Sequence, residues 1–528
     1  MRAEFNMPES CSHFDIDLKS KKIYNNLSDK KEPLRRAYGE PVKFTAFTSS
    51  TDNTIEIANG KLWRPFTTCT NNVINIDMGE EIDLASVEFI FEKNKTDKYE
   101  YCLYGIKDDE AHVLCKRTSE KNIIFEKAEG RFRYLVFTFL SASDYIDEEA
   151  CLVAGIEKLR IYRAYRKTEP PKLLNTITGY KVTDIEMWET IRRDEVKNLC
   201  ERYLYGIRDI EKPDNLYFNV EKTYEIYGIT CKEIYGGFGN FKFPFKLYLP
   251  KNVEKPLPAF IYVAHEYAES TMKFDKNGNM YNDHSVIPIK YLTDRGYAIA
   301  VMPTREIYRE WDTHSNYKVG VFKEVNAPRT KYSWASLSAW AWGVSRVLDY
   351  LETEPMVDET RVASIGHSRS GKAALWAAAT DERIFLCVPN NSGCCGAAIL
   401  RGKTGEHARM INDYSDWLCA KFKDYDDCED LLPMDQHFVL SLVAPRNIYV
   451  CDSILDEVAD PDAEFWACQL ASPVWELYGK KGLVMDDEKP VIDKVYQEGD
   501  IAYHVKTGDH SQTMFDWENV INYFDSIK

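Results

Sequence analysis

Arg361–Ala379 reads RVASIGHSRSGKAALWAAA. A short apolar strand, Val362 to Ile365, runs into Gly366-His367-Ser368-Arg369-Ser370-Gly371-Lys372, and an alanine-rich helix follows. A serine on a sharp strand-to-helix turn with glycines on both sides is a nucleophile elbow. The turn lifts the hydroxyl to the top of the sheet. The new helix offers its unpaired N–H groups and positive dipole end to a developing oxyanion. The spacing here is G-x-S-x-x-G, one residue longer than the usual G-x-S-x-G. Taken alone, the stretch also fits a βα turn that merely contains Ser368.

The surrounding chain decides between these readings. From Pro256 onward strands alternate with helices, the pattern of a mainly parallel sheet covered on both faces. The strands are AFIYVAH (259–265), YAIAVM (297–302), RVASIG (361–366), FLCVPN (385–390), NIYVCDS (447–453) and AYHVK (502–506). They are almost continuously apolar, as doubly covered parallel strands are. Helices are expected over 333–352, after the elbow, around Phe465 to Tyr478, and over Trp517 to Phe524. An elbow in this setting predicts an α/β-hydrolase three-layer sandwich, in which acid and base follow the serine in that order.

A serine hydroxyl is a weak nucleophile that needs a base, and the base needs an orienting acid. Gly508-Asp509-His510 follows the last strand, so His510 is the expected base. The turn Ser453–Asp462 after NIYVCDS supplies the acid. Asp456 lies closest to the usual position. Asp460 is the alternative, and it reads equally well as the N-cap of the next helix.

Upstream, residues 1–37 form a polar extension. Residues 38–165 show short alternating runs (VKFTAF, VINIDMG, ASVEFIFE, YEYCLYGI, FRYLVFTFL, EKLRIYRA) split by turn residues, which predicts an all-β sandwich. Residues 166–182 begin RKTEPPK and read as a stiff polar linker, leaving 183–528 as the catalytic domain. Met187 to Tyr205 has apolar residues at helical spacing, closed by Gly206 as C-cap, and Gly236–Gly239 marks a hairpin.

Composition narrows the function classes. The 528-residue chain is 44% hydrophobic and 13% aromatic, enough for two or three domain cores. A net charge of -17 excludes a nucleic-acid or anionic-membrane surface. The opening MRAEFNMPES is no signal peptide, and no apolar run reaches the roughly 20 residues of a bilayer span. The 14 cysteines show no metal-ligand spacing. Reduced thiols in the cytoplasm are the simplest account, with Cys394-Cys395 unsuited to a disulfide. No metal or cofactor is expected, and the oligomeric state is not legible.

Two resemblances add to this reading. TAFTSSTDN, IANGKLWRPFTT, NVINIDMGEEIDLASVEFIFE and GRFRYLVFTF resemble the discoidin-like (galactose-binding-like) jelly roll, with Asp77-Met78-Gly79 at its acidic strand end and Trp63 as an aromatic candidate. Such sandwiches bind sugar in some proteins and serve only as docking domains in others. Over roughly 180–528, GHSRSGK resembles the nucleophile motif of the glucuronoyl esterases. NNSGCCGAAILRGKTGE (390–406), LPMDQHFVLSLVAPR (432–446), VADPDAEF (458–465) and GDHSQT (508–513) match in the same order. The helix WETIRRDEVKNLCERYLYG resembles the one preceding the catalytic domain in bacterial members.

That family hydrolyses the ester between glucuronic acid on xylan and lignin alcohols without a cofactor. The resemblance implies Ser368 as nucleophile, His510 as base and Arg369 as oxyanion stabiliser. Lys372, Glu406 and Arg401 would contact the sugar, and a uronate-bearing oligosaccharide would be the partner. Three positions depart from the family pattern. Asn391 stands where many members carry a catalytic Glu, Val458 where relatives often have a sugar-packing Trp, and Cys395-Gly396 replaces a glycine pair. The Asn strengthens the case for an acid after the next strand. The competing readings are an acetyl esterase acting on xylo-oligosaccharides and a non-catalytic carbohydrate-binding protein with a vestigial triad. Gly402-Lys403-Thr404 is not a phosphate loop, because the required first glycine falls at Ala397. His437 reads as structural, and backbone near His265 or Glu266 as a second oxyanion donor.

Overall fold

The computed structural model describes residues 169–528, apart from 266–272, 282–284, 310–316, 402–404, 415, 427–428 and 528, together with strands lying between residues 4 and 163. The chain divides into two compact units, Met1–Arg166 and Lys167–Lys528. In the first, an antiparallel sheet is built on two 20-residue strands, Asn72–Phe91 and Ile123–Ala142. Tyr99–Lys107 and Glu110–Ser119 extend it on one side. Alternation sends Ile74, Ile76, Leu135 and Phe137 into one core. At the Asp77-Met78-Gly79 strand end, the Asp77 carboxylate accepts from the Gly79 N–H (2.8 Å) and from Arg133 Nε (3.1 Å). The segment IANGKLWRPFTT, Trp63 included, lies outside the described residues.

The second unit carries a ten-stranded sheet. Its strands are β1 (Tyr217–Ile226), β2 (Ile229–Phe238), β3 (Phe241–Pro250), β4 (Leu257–Ala264), β5 (Ala298–Pro303), β6 (Val357–His367), β7 (Leu386–Asn390), β8 (Asn447–Ser453), β9 (Val495–Tyr496) and β10 (Ile501–Lys506). Their order is β1-β2-β3-β5-β4-β6-β7-β8-β10-β9. Strands β5, β4, β6, β7, β8 and β10 run parallel, while the β1–β3 meander and the short β9 are antiparallel. Every residue of β5, β7, β8 and β10 is buried, which explains their unbroken apolar runs. Gly239, at φ 53°, makes the tight turn between β2 and β3.

Helices α1 (Ser336–Leu351), α2 (Arg369–Thr380) and α3 (Pro461–Leu477) pack with residues 185–205 on one face of the sheet. The other face is covered by α4 (Met514–Ser526) and the short helix Ile289–Asp294. This is the three-layer arrangement expected from the sequence. All sixteen residues of α1 are buried, so its Arg346 and Asp349 need partners: Arg346 donates through Nε to Asp349 Oδ2 (2.6 Å), and Asp349 Oδ1 accepts from Arg383 (2.8 Å).

The expected helix over 187–205 runs from Ile185 to Tyr205 and is widened by two π-type turns. Gly206, at φ 83°, ends it by donating its N–H to the Glu201 carbonyl (2.8 Å). Tyr205 stacks on Trp376 of α2 with ring centroids 4.1 Å apart, and its hydroxyl donates to the Cys395 carbonyl (2.9 Å). The stretch read as a linker is packed rather than extended between units. Leu173 and Val182 are buried in the second unit's core, and Arg192 Nε donates to the Leu173 carbonyl (2.7 Å).

The parallel register brings the strand ends level. His367 pairs with Asn390, Asn390 with Cys451, and Ser453 with Lys506. Between β6 and α2 the backbone is closely packed. A Cβ on Gly366 would stand 2.3 Å from the Ser370 carbonyl oxygen, and one on Gly371 2.9 Å from that of Gly366. Gly366→Ala is therefore expected to destabilise the second unit by about 2 kcal/mol. Denaturant unfolding followed by near-UV circular dichroism checks this; an unchanged midpoint contradicts it.

Candidate active site

Apolar β6 delivers Ser368 to the C-terminal edge of the sheet, and the clamp between Gly366 and Gly371 sets its backbone. Ser368 adopts φ 57° and ψ -128°, a conformation that L-residues rarely take, and it N-caps α2. Its own N–H donates to the Asn390 carbonyl (2.9 Å), and its carbonyl accepts from the Lys372 N–H (3.1 Å). Arg369 is the first residue of the helix, so its backbone N–H lies in the first turn, at the positive end of the helix dipole.

His510 lies beyond β10, as the motif order predicts. Its ring is 4.6 Å from that of His367, the residue before Ser368. His510 Nδ1 donates to Asp456 Oδ2 at 2.5 Å. Asp456 Oδ2 also accepts from Asn391 Nδ2 (2.8 Å), and Oδ1 from the Ala459 N–H (3.1 Å). Burial, the largest single effect on the Asp456 carboxyl, opposes its charge. The hydrogen bond and charge of His510, with the Asn391 and Ala459 donors, outweigh it and hold the carboxyl at about 2. An ionised Asp456 accepts from Nδ1 and so keeps a proton on that nitrogen, which leaves Nε2 as the nitrogen able to exchange a proton.

Of the two acids considered, the structure pairs Asp456 with His510. Asp460 instead takes a left-handed backbone (φ 65°) at the N-cap of α3, where its carboxylate accepts from the Ala463 N–H (3.1 Å). Arg401 is enclosed by the protein. Its side chain is only 2% exposed, and its guanidinium bonds Asp435 Oδ2 (2.8 Å) and the carbonyls of Met434 (3.0 Å), Asp430 (3.1 Å) and Leu432. These bonds make Arg401, the expected sugar contact, an internal brace. Burial requires such a charge to be fully paired.

Lys372 and Glu406 do meet. Lys372 Nζ donates to Glu406 Oε2 (3.0 Å) and to the Ser392 carbonyl (2.7 Å). Burial opposes the ammonium charge, but the Glu406 carboxylate holds it above the usual lysine range. The Arg369 guanidinium lies 5.8 Å, and Lys372 Nζ 5.7 Å, from the ring of Trp417. That tryptophan carries no sequence signal that marks it; it arrives from a loop between short helices.

The sequence reading also missed the layer beneath His510. Asn391, at φ 44°, donates through Nδ2 to Asp452 Oδ1 (2.8 Å), Ser453 Oγ (3.1 Å) and Asp456 Oδ2 (2.8 Å). Burial, followed by the nearby Glu464 and Asp456 carboxylates, pushes Asp452 well above the ordinary range. His367 is buried and donates through Nδ1 to Asn390 Oδ1 (2.7 Å). Burial and the charge of His510 push it well below an ordinary histidine. His437, buried against the Pro171 carbonyl (3.0 Å), falls to about 4 for the same first reason.

Among the described residues, one cluster has metal-ligand chemistry. Cys451, His504 and Asp516 hold their ligand atoms within 4.8 Å of one another, all buried. His504 bridges the Tyr449 hydroxyl (2.9 Å) and Asp516 Oδ1 (2.9 Å), and Asp516 is ion-paired with Lys506 (3.0 Å). With an ammonium already on the carboxylate, the arrangement reads as an internal polar network. The cysteines 394 and 395 keep their sulfurs 3.7 Å apart, outside bonding distance.

Comparison with known proteins gives a consistent picture. A family model for fungal glucuronyl esterase matches residues 237–479. A carbohydrate esterase of an unknown prokaryotic organism is 32% identical over 384 residues, covering 67% of this chain and 88% of its own. The 4-O-methyl-glucuronoyl methylesterase of Hypocrea jecorina is 34% identical over 160 residues, and the match spans 35% of its length. Among solved structures, a glucuronoyl esterase from Solibacter usitatus is 30% identical with a TM-score of 0.62, covering 69% of this chain and 98% of its own.

The depressed Asp456 carboxyl has a stability consequence of definite sign. Its folded pKa of about 2 lies below the ordinary 3.8, so the stability it contributes is complete above 3.8 and is lost as pH falls toward 2. The stability gap between the native chain and Asp456→Asn should narrow by about 2 kcal/mol between about pH 5 and pH 2. Denaturant titrations across that window measure it.

Proposed function

The chain belongs to the glucuronoyl esterase family and hydrolyses carbohydrate esters, and on that footing we propose that Ser368, His510 and Asp456 form its catalytic triad, acting on esters of a uronic acid. The observation that carries this is the strained Ser368 elbow beside a His510 ring oriented by Asp456. The methylesterase relative, by its name, acts on a 4-O-methyl-glucuronoyl ester, which supports the substrate class.

In this reading His510 Nε2 takes the Ser368 proton as Oγ attacks the ester carbonyl carbon. The carbonyl π bond opens to an oxyanion held by the Arg369 backbone N–H, with its guanidinium close by. A donor so placed contributes on the order of 3–4 kcal/mol to the transition state. The C–O bond to the alcohol then breaks, and the imidazolium returns its proton to the departing oxygen. Water, deprotonated by the same nitrogen, hydrolyses the acyl-enzyme and frees the uronic acid.

The Lys372–Glu406 pair, against the Trp417 ring, would meet the sugar hydroxyls. For the first unit we propose a galactose-binding-like jelly roll, in keeping with its antiparallel sheet. A cytosolic location belongs to the same reading. The ten described cysteines are buried thiols outside disulfides, which supports a reducing compartment.

Ser368→Ala should lower the rate on benzyl glucuronate by about 10⁴-fold or more and abolish labelling by a fluorophosphonate probe. Residual activity near the native level would overturn the serine mechanism, and faster turnover of acetylated xylo-oligosaccharides would overturn the uronate assignment. Glu406→Gln should raise KM about tenfold with kcat little changed, because contacts to sugar hydroxyls persist from ground state to transition state. Steady-state kinetics on the same ester separates the two constants.

A further inference from the structure

Asn391 is arranged to donate, at the expense of its own hydrogen bonding. It follows β7 directly, is 1% exposed, and takes a left-handed backbone (φ 44°). Its N–H donates to the Cys451 carbonyl of β8 (2.7 Å), which fixes the residue between the two strand ends. The two amide hydrogens face three oxygens: Asp452 Oδ1 and Asp456 Oδ2, at 2.8 Å each, and Ser453 Oγ at 3.1 Å. The two shorter contacts go to carboxyls. The amide oxygen, by contrast, is buried with no hydrogen-bond partner among the described residues. A buried acceptor left unpaired is costly, yet turning the amide over would set its oxygen against the same three oxygens. The orientation is therefore held for the sake of the donor.

One recipient is the carboxylate behind the base. Asp456 Oδ2 accepts from His510 Nδ1 (2.5 Å) and from Asn391, while Oδ1 accepts from the Ala459 N–H (3.1 Å). Asn391 and Ala459 thus hold opposite oxygens and fix the carboxylate plane that His510 meets. Without the amide the carboxylate can pivot about the Ala459 bond, and His510 turns with it. Asp452, driven toward its neutral form, accepts from the other amide hydrogen without a full charge to draw Nδ2 away from Asp456. The same strand end also reaches the nucleophile, since the Asn390 carbonyl accepts from the Ser368 N–H (2.9 Å). Two adjacent residues hold the backbone of the serine and the carboxylate behind the histidine.

We propose that Asn391 is a positioning residue for ester hydrolysis, acting through Asp456 to keep His510 in line with Ser368. The inference rests on the Ser368–His510–Asp456 reading above. An amide that holds the carboxylate in one orientation through both proton transfers favours the chemical steps rather than substrate binding.

The test is a double-mutant cycle on the full chain, combining Asn391→Gly with Asp456→Asn and using benzyl glucuronate. Glycine takes a left-handed backbone freely, so only the side chain is lost. Asn391→Gly is expected to lower kcat about tenfold, with KM changed by less than about twofold. Asp456→Asn should lower kcat about 10³-fold or more. Adding Asn391→Gly to it should change kcat by less than about twofold, because the carboxylate through which the amide acts is gone. An unchanged kcat in Asn391→Gly, or a further tenfold loss in the Asp456→Asn background, overturns the positioning role while leaving the triad standing. A full rate in Asp456→Asn overturns both.

Proton NMR reads the same contact without catalysis. The proton on His510 Nδ1 should give a downfield signal that Asp456→Asn abolishes and Asn391→Gly displaces, even if no uronate ester is turned over. A signal at the native position in Asn391→Gly refutes the inference. Where the glycine variant does not fold, Asn391→Ala carries the same cycle and the same spectrum.

Discussion

The first turn of α2 lies directly on the ends of β6 and β7, and the rest of the site depends on that contact. The positions that would carry Cβ atoms on Gly366 and Gly371 are already occupied by backbone, from Ser370 on one side and from Gly366 and Asn390 on the other. With helix and strands this close, the connecting residue has one way to turn. Ser368 takes a positive φ because both of its neighbours are fixed. The extra residue in G-x-S-x-x-G does not loosen the turn. It places the second glycine one residue further along the helix, still within its first turn against the sheet.

The charges around the elbow follow from burial. Asp452, Asp456 and Glu464 are three carboxylates in the interior beneath His510, and three buried anions are not tolerated together. Asp456 stays ionised because it has His510, Asn391 and a backbone N–H as donors. Asp452, next to the other two acids, is driven toward its neutral form. Lys506 supplies a cation to the layer, bonding Ser453 and Asp516. Asn391 links this layer to the carboxylate paired with His510, since one amide donates to Asp452, Ser453 and Asp456. An uncharged amide here, rather than another carboxylate, avoids a fourth buried negative charge.

The same logic separates the cations. Lys372 pairs with Glu406 near Trp417, and that carboxylate is only partly buried. Arg401, a few residues before Glu406, is enclosed by Asp435 and three carbonyls and works as a brace. Both cations are buried and differ in their partners: Lys372 pairs with a partly exposed Glu406, Arg401 with a fully buried Asp435. That difference is a property of packing, not of spacing.

Local regularities determined a good part of this protein. The doubly covered strands were legible because burial on both faces demands unbroken apolar runs, and the α/β alternation followed from them. Ser368, His510 and the turn carrying Asp456 were legible because chain order constrains where a parallel sheet delivers its strand ends. Helix 185–205 was visible from its periodicity. What stayed hidden depends on groups brought together from distant parts of the chain. Position in the turn Ser453–Asp462 favours Asp456 over Asp460 without excluding either; the distinction arises because His510 reaches one while the other caps α3. The same holds for Trp417 beside Lys372, for the amide of Asn391 bridging two acids, and for Leu173 and Val182 drawn into the core from an apparent linker. The sequence by itself determined which elements form and which chemistry they carry. Only the tertiary structure decided which carboxylate pairs with His510 and which cation is enclosed, because that choice depends on desolvation and contact distance, and neither exists until the chain is folded.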